Sequence, residues 1–314
     1  MRVLRVEGGA ARIGGRELVT PGAPAWIDCA PTPENLAFLG ATFGFHPLAL
    51  EDCAHEDQRP KFEQYPGELF LVVHRLALAP DDSCLVTLEV NAFLTAEAVV
   101  TVHSAPVAEL DQVFERCLRE PELLARGPDF ALYLVHDALT DVHYALVDAL
   151  TAEIDALSDE VLGRDPSEHP LELIERIAAT RRAHAILRRR LAPQREVFAA
   201  LARPGQQLVK DQTAIYFRNV VDHSVRLTEE VDTGRELLAS TMDVFLSQTN
   251  NRLSQVTARL TLAATIFLPL NFVAGFFGMN LEILPPAVAI PLVLAAMIAL
   301  PIAMFAFFRW KRWL

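Results

Sequence analysis

Short apolar runs dominate the first third of the chain. Runs with alternating or β-branched residues predict strands at about 3–6, 68–76, 85–95 and 98–102. Helical spacing of apolar residues predicts two helices among them, at about 34–40 and 107–119. Residues 1–126 are therefore predicted to form an α/β domain.

The middle of the chain changes to a helical period. Apolar residues three and four apart predict a helical pair in residues 127–203, with helices at about 133–162 and 171–191, the second ending near Pro193. From Asp211 no proline occurs until Pro269, which predicts one helix of over 60 residues, near 90 Å long, within 204–279. Gly234 weakens that prediction slightly. A helix this long cannot bury its face against one small domain, so we expect copies of it to bundle.

Two charge-free stretches follow near the C-terminus. The first has 22 residues between Arg259 and Glu282, and the second has 26 between Glu282 and Arg309. Each is long enough to cross a bilayer core of roughly 30 Å as a helix. We predict spans at about 260–279 and 287–308, an external loop at 280–286 and a basic tail at 309–314. The fold class is thus α+β, with an α/β domain, a long helical stalk and a two-helix transmembrane hairpin; a buried hairpin in a soluble domain is the alternative.

The first predicted span carries a polar stripe. Small or polar residues recur there every 3.5 residues, and Leu268 is the one bulky member: Ser254, Thr257, Thr261, Ala264, Leu268, Asn271, Gly275 and Gly278. Such a stripe either lets helices pack closely or lines water in a pore shared by several copies. The same register continues upstream through Asn250 and Ser247 to Asp243, which favours the pore.

Charge and cysteine content limit the possible partners and the cellular compartment. The formal net charge of −12 disfavours a nucleic-acid partner. The four cysteines are scattered, which suits a reducing cytosol better than a disulfide scaffold. Because Arg309, Lys311 and Arg312 close the chain and the loop between the spans has no Lys or Arg, we expect both termini in the cytoplasm. The N-terminus shows no apolar core typical of a signal peptide.

Other chemistry-bearing clusters have simpler interpretations. The acidic group Glu51, Asp52, His55, Glu56 and Asp57 is interpreted as a solvated surface rather than a metal site. His74, His136 and His143 are interpreted as core histidines. The arginines between 181 and 190 are predicted to be solvated or paired with Asp148, Asp155, Asp159 and Glu160. We find no phosphate-binding G-x-x-x-x-G-K-[ST] loop and no nucleophile constellation, so neither ATP-driven transport nor an enzyme is predicted.

One segment near the C-terminus is similar to a signature sequence of a known family. The run from Phe267 to Asn280, FLPLNFVAGFFGMN, is similar to the first transmembrane helix and Gly-Met-Asn signature loop of the CorA family of divalent-cation channels. Two further segments, GFHPL at 44–48 with QRPK at 58–61, and YFRNVVDH at 216–223, resemble that family's cytoplasmic domain and the entry to its pore helix. The resemblance covers the whole chain.

The resemblance implies a function and a set of sites. Members are homopentamers in the cell membrane that conduct Mg²⁺, with Co²⁺ and Ni²⁺, into the cell, and Zn²⁺ transport occurs in divergent members. It implies a selectivity filter at Gly278, Met279 and Asn280, and no cofactor besides the transported ion. On the residues themselves, we predict a pore lined by the stripe with Asp243, and a hydrophobic gate at Leu268 with Leu260.

Two departures from the family pattern bear on regulation and on the outer loop. Relatives carry Asp after Tyr-Phe-Arg, a residue linked to Mg²⁺ regulation between subunits, whereas this chain has Asn219 with Asp222 one turn on. Leu284-Pro285-Pro286 replaces the Met-Pro-Glu segment after the signature. A non-conducting oligomeric sensor or scaffold, and a ligand-binding domain anchored by the hairpin, remain alternatives.

Overall fold

The computed structural model describes residues 1–78, 85–163, 170–278 and 286–311. The chain divides into two compact units, Met1–Met242 and Asp243–Leu314. The first unit contains a sheet and most of the helices. In the second, the described residues form the C-terminal part of one long helix and one further helix.

A seven-stranded sheet forms the centre of the first unit. Its spatial order is β2-β1-β3-β7-β6-β5-β4, and all neighbours are antiparallel except β3 with β7. The described strands are β1 (Arg2–Glu7), β2 (Ala10–Gly14), β3 (Ala25–Cys29), β4 (Lys61–Tyr65), β5 (Glu68–Leu78), β6 (Leu85–Leu94) and β7 (Ala98–His103). The long strands had been predicted, whereas β2, β3 and β4, of five residues each, had not.

Eight α-helices are present in the described residues. They are α1 (Pro33–Phe43), α2 (Pro47–Ala54), α3 (Ala108–Arg119), α4 (Pro121–Ala125), α5 (Pro128–Gly163), α6 (Pro170–Leu201), α7 (Asp211–Gly278) and α8 (Pro286–Trp310). The start of α1 is encoded locally, since Thr32 accepts a hydrogen bond from the Asn35 N–H and Pro33 occupies the first turn. Gly44, with a φ of 71°, ends the same helix in the left-handed conformation.

Alternating side chains of the sheet fill two cores. On one face, Val3, Ile27, Phe70, Val72 and Phe93 pack under α1 and α2. On the other face, strand residues including Trp26, Leu71 and Val90 pack against residues of α3, α5, α6 and the start of α7. The first unit therefore has three layers, helices on both faces of one sheet. Helices α5 and α6 share this core, so residue 126 marks a change of secondary structure inside one unit.

Two helical side chains complete the free edge of β5. Strand β4 pairs only with Glu68–Val72 of β5, so within the described part of the chain the rest of that edge has no strand neighbour. There the His74 N–H donates to Gln194 Oε1 of α6 at 2.8 Å, and the Leu76 N–H donates to His143 Nε2 of α5 at 3.2 Å. Because unpaired buried N–H groups are costly, these two residues hold the helical pair to the sheet.

Helix α6 corrects the predicted end near Pro193. The helix passes through that proline and continues to Leu201. Proline removes one backbone N–H and usually breaks a helix. Here Val197, Phe198 and Leu201 beyond it are buried in the sheet core, and that burial outweighs the lost hydrogen bond.

Gly234 lies inside α7 for a packing reason. A Cβ at this position would lie 2.6 Å from His184 Nε2 of α6 and 3.0 Å from Ile154 Cδ1 of α5. The imidazole of His184 is 1% exposed, and its Nδ1 lies 3.0 Å from the Thr180 carbonyl oxygen. Glycine at 234 thus lets three helices approach closely rather than interrupting one.

Candidate functional site

The polar stripe lies on one exposed side of α7. All its members from Ser254 to Gly278 are exposed, as is Asp243 further upstream. Leu268 is 76% exposed, an unusual environment for leucine in the absence of a partner. Helix α7 thus presents hydroxyl, amide and glycine positions along a single line.

The opposite side of α7 faces α8. In the first charge-free stretch, the partly buried residues of α7 lie on one face: Leu262, Ile266, Pro269, Leu270 and Val273. On α8 the shielded positions also share one face: Val293, Ala296, Met297, Leu300, Pro301, Met304 and Phe308. Leu262 of the α7 face and Phe308 of the α8 face line the same groove, and one shielded face on each helix is the pattern expected of two helices that pack on each other.

The stripe points away from the hairpin partner. At 3.6 residues per turn its centre lies roughly 165° around α7 from the face that packs on α8. The small residues of the stripe from Ala264 to Gly278 therefore have no packing role against α8, whereas Ser254, Thr257 and Thr261 lie in a groove that Phe308 of α8 also lines. Leu260, predicted to belong to the gate with Leu268, lies roughly 60° to one side of the stripe.

Hydrogen bonding differs along the stripe. Thr265, beside it, donates its hydroxyl to the Thr261 carbonyl oxygen at 2.7 Å, so that hydroxyl needs no other partner. Among the described residues, the Asn271 amide makes no side-chain hydrogen bond. Asn271 is therefore the amide in this span that is free to contact an ion's water shell.

Gly278, the first residue of the predicted filter, is the last residue of α7 and is exposed. Met279 and Asn280, the other two, lie outside the described residues. The C-terminal carbonyls of α7 have no helical partners, and they carry the negative end of the helix dipole. This helix end is thus suited to attract a cation.

A groove in the same unit includes the first three residues of the stripe, Ser254, Thr257 and Thr261. It has a volume of about 550 Å³ and is lined by Leu253, Ser254, Thr257, Ala258, Thr261, Leu262, Thr265 and Phe308. Small side chains and hydroxyls form most of its wall. The sequence carries no signal for this groove, because Phe308 comes from the other helix.

The candidate regulatory residues Asn219 and Asp222 lie on α7 in the first unit. Both are exposed and they are one turn apart. Within the described residues, no group of three or more His, Cys, Asp or Glu side chains is placed to hold a metal ion. The pair therefore offers at most two ligands from one chain.

The other predicted clusters have structural roles. Asp52 pairs with Lys61 at 2.6 Å and Asp57 pairs with Arg190 at 2.8 Å. The arginine run is mainly exposed, in agreement with the solvated interpretation, whereas the alternative pairing was wrong. Arg188 contacts Asp232 of α7, and Arg176, outside the run, contacts Glu153 and Glu160. These partners are brought together by helix packing, which charge patterns along the sequence do not reveal.

The three core histidines are held neutral by burial. His74, His136 and His143 are at most 1% exposed. Burial lowers the pKa of each of them to about 4, because a charged imidazole would lose its hydration there. Neutral His143 can accept the Leu76 N–H, whereas a protonated imidazole could not.

Comparison with known proteins gives one family over most of the chain. The family model described as CorA-like Mg²⁺ transporter protein matches residues 22–312. The cobalt/magnesium transport protein CorA of Thermotoga maritima is 33% identical over 297 residues, covering 93% of this chain and 84% of that protein. The zinc transport protein ZntB of Yersinia enterocolitica is 23% identical over 280 residues, covering 89% and 84%.

Comparison with solved structures finds the same fold in related transporters. The structure of the CorA magnesium transporter from Methanocaldococcus jannaschii matches with a TM-score of 0.85 and 21% identity, covering 100% of this chain and 99% of that one. The predicted fold class, a sheet domain followed by a long helix and a C-terminal hairpin, is confirmed by this match. Two helices in the described residues, α7 and the 290–310 part of α8, are long and apolar enough to cross a membrane.

Proposed function

The chain belongs to the family of CorA-like Mg²⁺ transporter proteins, and from this membership we propose that it is a homo-oligomeric channel for divalent cations. Its substrates are Mg²⁺ and Co²⁺, with Ni²⁺ as a further candidate. The relative named for Mg²⁺ and Co²⁺ transport is closer than the one named for Zn²⁺, at 33% against 23% identity. Mg²⁺ is therefore favoured over the alternative, Zn²⁺.

One observation carries the proposal: the part of the polar stripe from Ala264 to Gly278 is exposed and faces away from α8. An amide such as that of Asn271, which cannot bond to its own helix as the Thr265 hydroxyl does, would be left without hydrogen-bond partners in lipid, and such groups in hydrocarbon face protein or water instead. Because two helices cannot enclose a water path, the stripe requires other copies of α7 around a common axis. A homopentamer is the assembly that the family resemblance implies.

The stripe residues suit an ion that keeps its water. Mg²⁺ dehydrates reluctantly, so neutral oxygens acting on its hydration shell serve it better than a ring of carboxylates. Asn271 would supply a ring of amides within the span, and Gly278, Met279 and Asn280 the outer filter. Leu268, the bulky stripe residue, would form an apolar constriction that closes by losing water. Asp243 would add an acidic ring outside the span.

The membrane potential is sufficient to drive uptake. One charge crossing 100 mV is worth about 2.3 kcal/mol, so a divalent cation entering a negative interior gains about 4.6 kcal/mol. With Arg309, Lys311 and Arg312 retained inside, both termini are cytoplasmic and the Gly-Met-Asn loop is external. The location is the cell membrane.

Regulation by the transported ion involves Asp222 and Asn219 only if another copy adds ligands. Asn219 has no charge, and Asp222 supplies a single carboxylate on the exposed side of α7. We expect Mg²⁺ sensing at this position to be weak. Asp222→Asn should leave the Mg²⁺ dependence of flux nearly unchanged.

The test is ion flux into proteoliposomes. Purified protein is reconstituted, an inside-negative potential is imposed, and Mg²⁺, Co²⁺, Ni²⁺ and Zn²⁺ entry is measured with and without a proton gradient. Asn271→Ala and Asn280→Ala should each reduce Mg²⁺ flux, whereas Gln255→Ala, an exposed amide of α7 off the stripe, should not. Absence of divalent-cation flux in the wild-type protein would favour the non-conducting scaffold alternative, and unchanged flux in both variants would contradict the roles given to Asn271 and Asn280.

A further inference from the structure

A set of linked polar side chains lies where the parallel strands β3 and β7 end. Asp28 of β3 is paired in register with Thr101 of β7, and His103 is the last residue of β7. The side chains of Asp28 and His103 are only 6% and 13% exposed, and Asp28 Oδ1 lies 3.0 Å from His103 Nε2. The channel proposed above makes no use of this pair.

The hydrogen bonds around Asp28 fix its charge. The Trp26 indole N–H donates to the Thr101 hydroxyl oxygen at 3.0 Å, so the Thr101 hydroxyl proton is left to donate to Asp28 Oδ1. The Arg2 Nε–H donates to Asp28 Oδ2 at 2.8 Å. Both carboxylate oxygens thus accept from donors, and Asp28 is ionised. Burial raises the pKa of Asp28, but the hydrogen bond and charge of His103 and the other two donors lower it by more.

The ring of His103 therefore carries two protons. Its Nε2 faces the ionised Asp28, and its Nδ1 lies 2.7 Å from the Ala105 carbonyl oxygen. A carboxylate and a carbonyl only accept, so both ring nitrogens must donate, and only the charged imidazolium has two N–H groups. Burial lowers the pKa of His103, but these contacts raise it by more. A neutral ring can keep one of the two contacts and loses the other.

The charged neighbours of His103 keep their charge when the histidine titrates. In the described part of the chain, the carboxylates and guanidinium groups on the elements around it are Asp28 of β3, Arg2 of β1, Asp111 and Glu109 of α3, and Arg75 of β5. Opposite His103, strand β6 places the apolar Val90. Carboxylates ordinarily titrate near pH 4 and guanidinium groups above about pH 12, so between pH 6 and pH 9 the histidine is the group in this set that changes charge.

The contact with the Ala105 carbonyl oxygen fastens the connection into α3. Residues 104–107 alone separate β7 from α3. The N-cap of α3 is Val107, whose side chain has no acceptor for the unpaired N–H groups of the first turn. The start of α3 therefore depends on contacts with the sheet, and His103 supplies one of them through Ala105.

We propose that His103 is a proton-operated clasp: its doubly protonated ring ties the 104–107 connection to the sheet, and loss of one proton to solvent as pH rises releases that connection and loosens α3. The ionised Asp28 keeps the remaining proton on Nε2. The Nδ1 lone pair then faces the Ala105 carbonyl oxygen, so this is the contact that breaks. The clasp lies within the first unit and does not rest on the channel assignment.

Amide hydrogen exchange of the full chain between pH 6 and pH 9 tests the clasp. After correction for the pH dependence of intrinsic exchange, protection of residues 104–119 should fall about tenfold over this range, the effect of losing one hydrogen bond to a charged group. Helix α2, on the other face of the sheet, should show no such fall. Equal protection of α3 in the wild-type protein at both pH values overturns the proposal, whether or not any variant folds.

Three variants separate His103 from other histidines. His103→Gln has no second proton to lose, and His103→Lys keeps its charge over this range, so protection of α3 should be independent of pH in both. His143→Gln, at a buried histidine of α5, should keep the wild-type response. Persistence of the response in either His103 variant, or its loss in His143→Gln, contradicts the clasp.

The thiol of Cys117 gives a second readout. Cys117 lies on α3 and is buried against the sheet, whereas Cys53 of α2 is buried on the opposite face. Maleimide labelling of each is followed by peptide mass spectrometry, and wild-type and His103→Gln rates are divided at each pH to cancel the titration of the thiols. The Cys117 ratio should rise about tenfold from pH 6 to pH 9, and the Cys53 ratio should stay constant. A constant Cys117 ratio, or an equal rise at Cys53, overturns the proposal.

Discussion

Replacing Gly234 by alanine should destabilise the first unit, although alanine is the better helix former. The added Cβ would lie 2.6 Å from His184 Nε2, 3.0 Å from His184 Cδ2 and 3.0 Å from Ile154 Cδ1. Both neighbours are buried, and a shift of the His184 ring weakens the 3.0 Å contact of its Nδ1 with the Thr180 carbonyl oxygen. The site has little freedom to relax.

The magnitude follows from three contributions. Glycine to alanine inside a helix gains about 1 kcal/mol. Overpacking a close-packed site costs about 1–3 kcal/mol, and disturbing a buried hydrogen bond costs about 1 kcal/mol more. The free energy of unfolding should therefore fall by about 1–3 kcal/mol. With His184→Ala already present, the main clash is gone, and the same glycine substitution should become neutral or stabilising.

The measurement is a double-mutant cycle by thermal unfolding of the full chain in one detergent and buffer. Amide hydrogen exchange of α6 and α7 gives a local readout, and protection should decrease around residues 180–188 and 230–238 in the single variant. The sign change between the two backgrounds is the decisive result, because a helix-propensity effect alone would be the same in both. Higher stability of Gly234→Ala in the presence of His184 would refute the packing argument.

Three further outcomes follow from the described contacts. Burial lowers the pKa of His103, but its hydrogen bond and ion pair with Asp28 outweigh burial and raise that pKa. The pair's contribution to stability is therefore complete below the unfolded pKa of about 6.5 and is lost as pH rises through the raised folded pKa. In pH-dependent unfolding, His103→Gln should cost more stability at pH 6 than at pH 9, and an equal cost would contradict the charge argument. Burial lowers the pKa of His143 to about 4, so this imidazole destabilises the fold as pH falls from about 6.5 toward 4. His143→Gln keeps an acceptor for the Leu76 N–H and should reduce the loss of unfolding free energy over that pH range. An unchanged slope of unfolding free energy against pH would contradict this role of His143. Leu268→Ala should raise Mg²⁺ flux under conditions that close the wild-type channel. Leu270→Ala, on the side of α7 facing α8, should not raise it. Equal effects of the two substitutions on flux would argue against a gate at Leu268.

Features encoded by long patterns were the ones that sequence could predict. Charge-free length predicted the two membrane-crossing helices, and the absence of proline between Asp211 and Pro269 predicted the extent of α7. The stripe followed from a spacing of 3.5 residues. These signals arise within one segment and need no knowledge of its neighbours.

Features set by distant contacts could not be predicted. Strands β2 and β4 are short and partly exposed, so their pattern is weak until a neighbouring strand pairs with them. Helix α6 continues past Pro193 because residues beyond it are buried, and Gly234 lies in a helix because His184 approaches it. In each case tertiary packing outweighs a local preference, and the partner lies at least 50 residues away in the chain or on another element.

The edge of β5 that Gln194 and His143 cover has a consequence for aggregation. Two of the N–H groups on that border that a foreign strand would need are already occupied by Gln194 and His143. A segment from another molecule cannot extend the sheet there without first displacing two helices. This edge of β5 is thus protected against strand-to-strand aggregation.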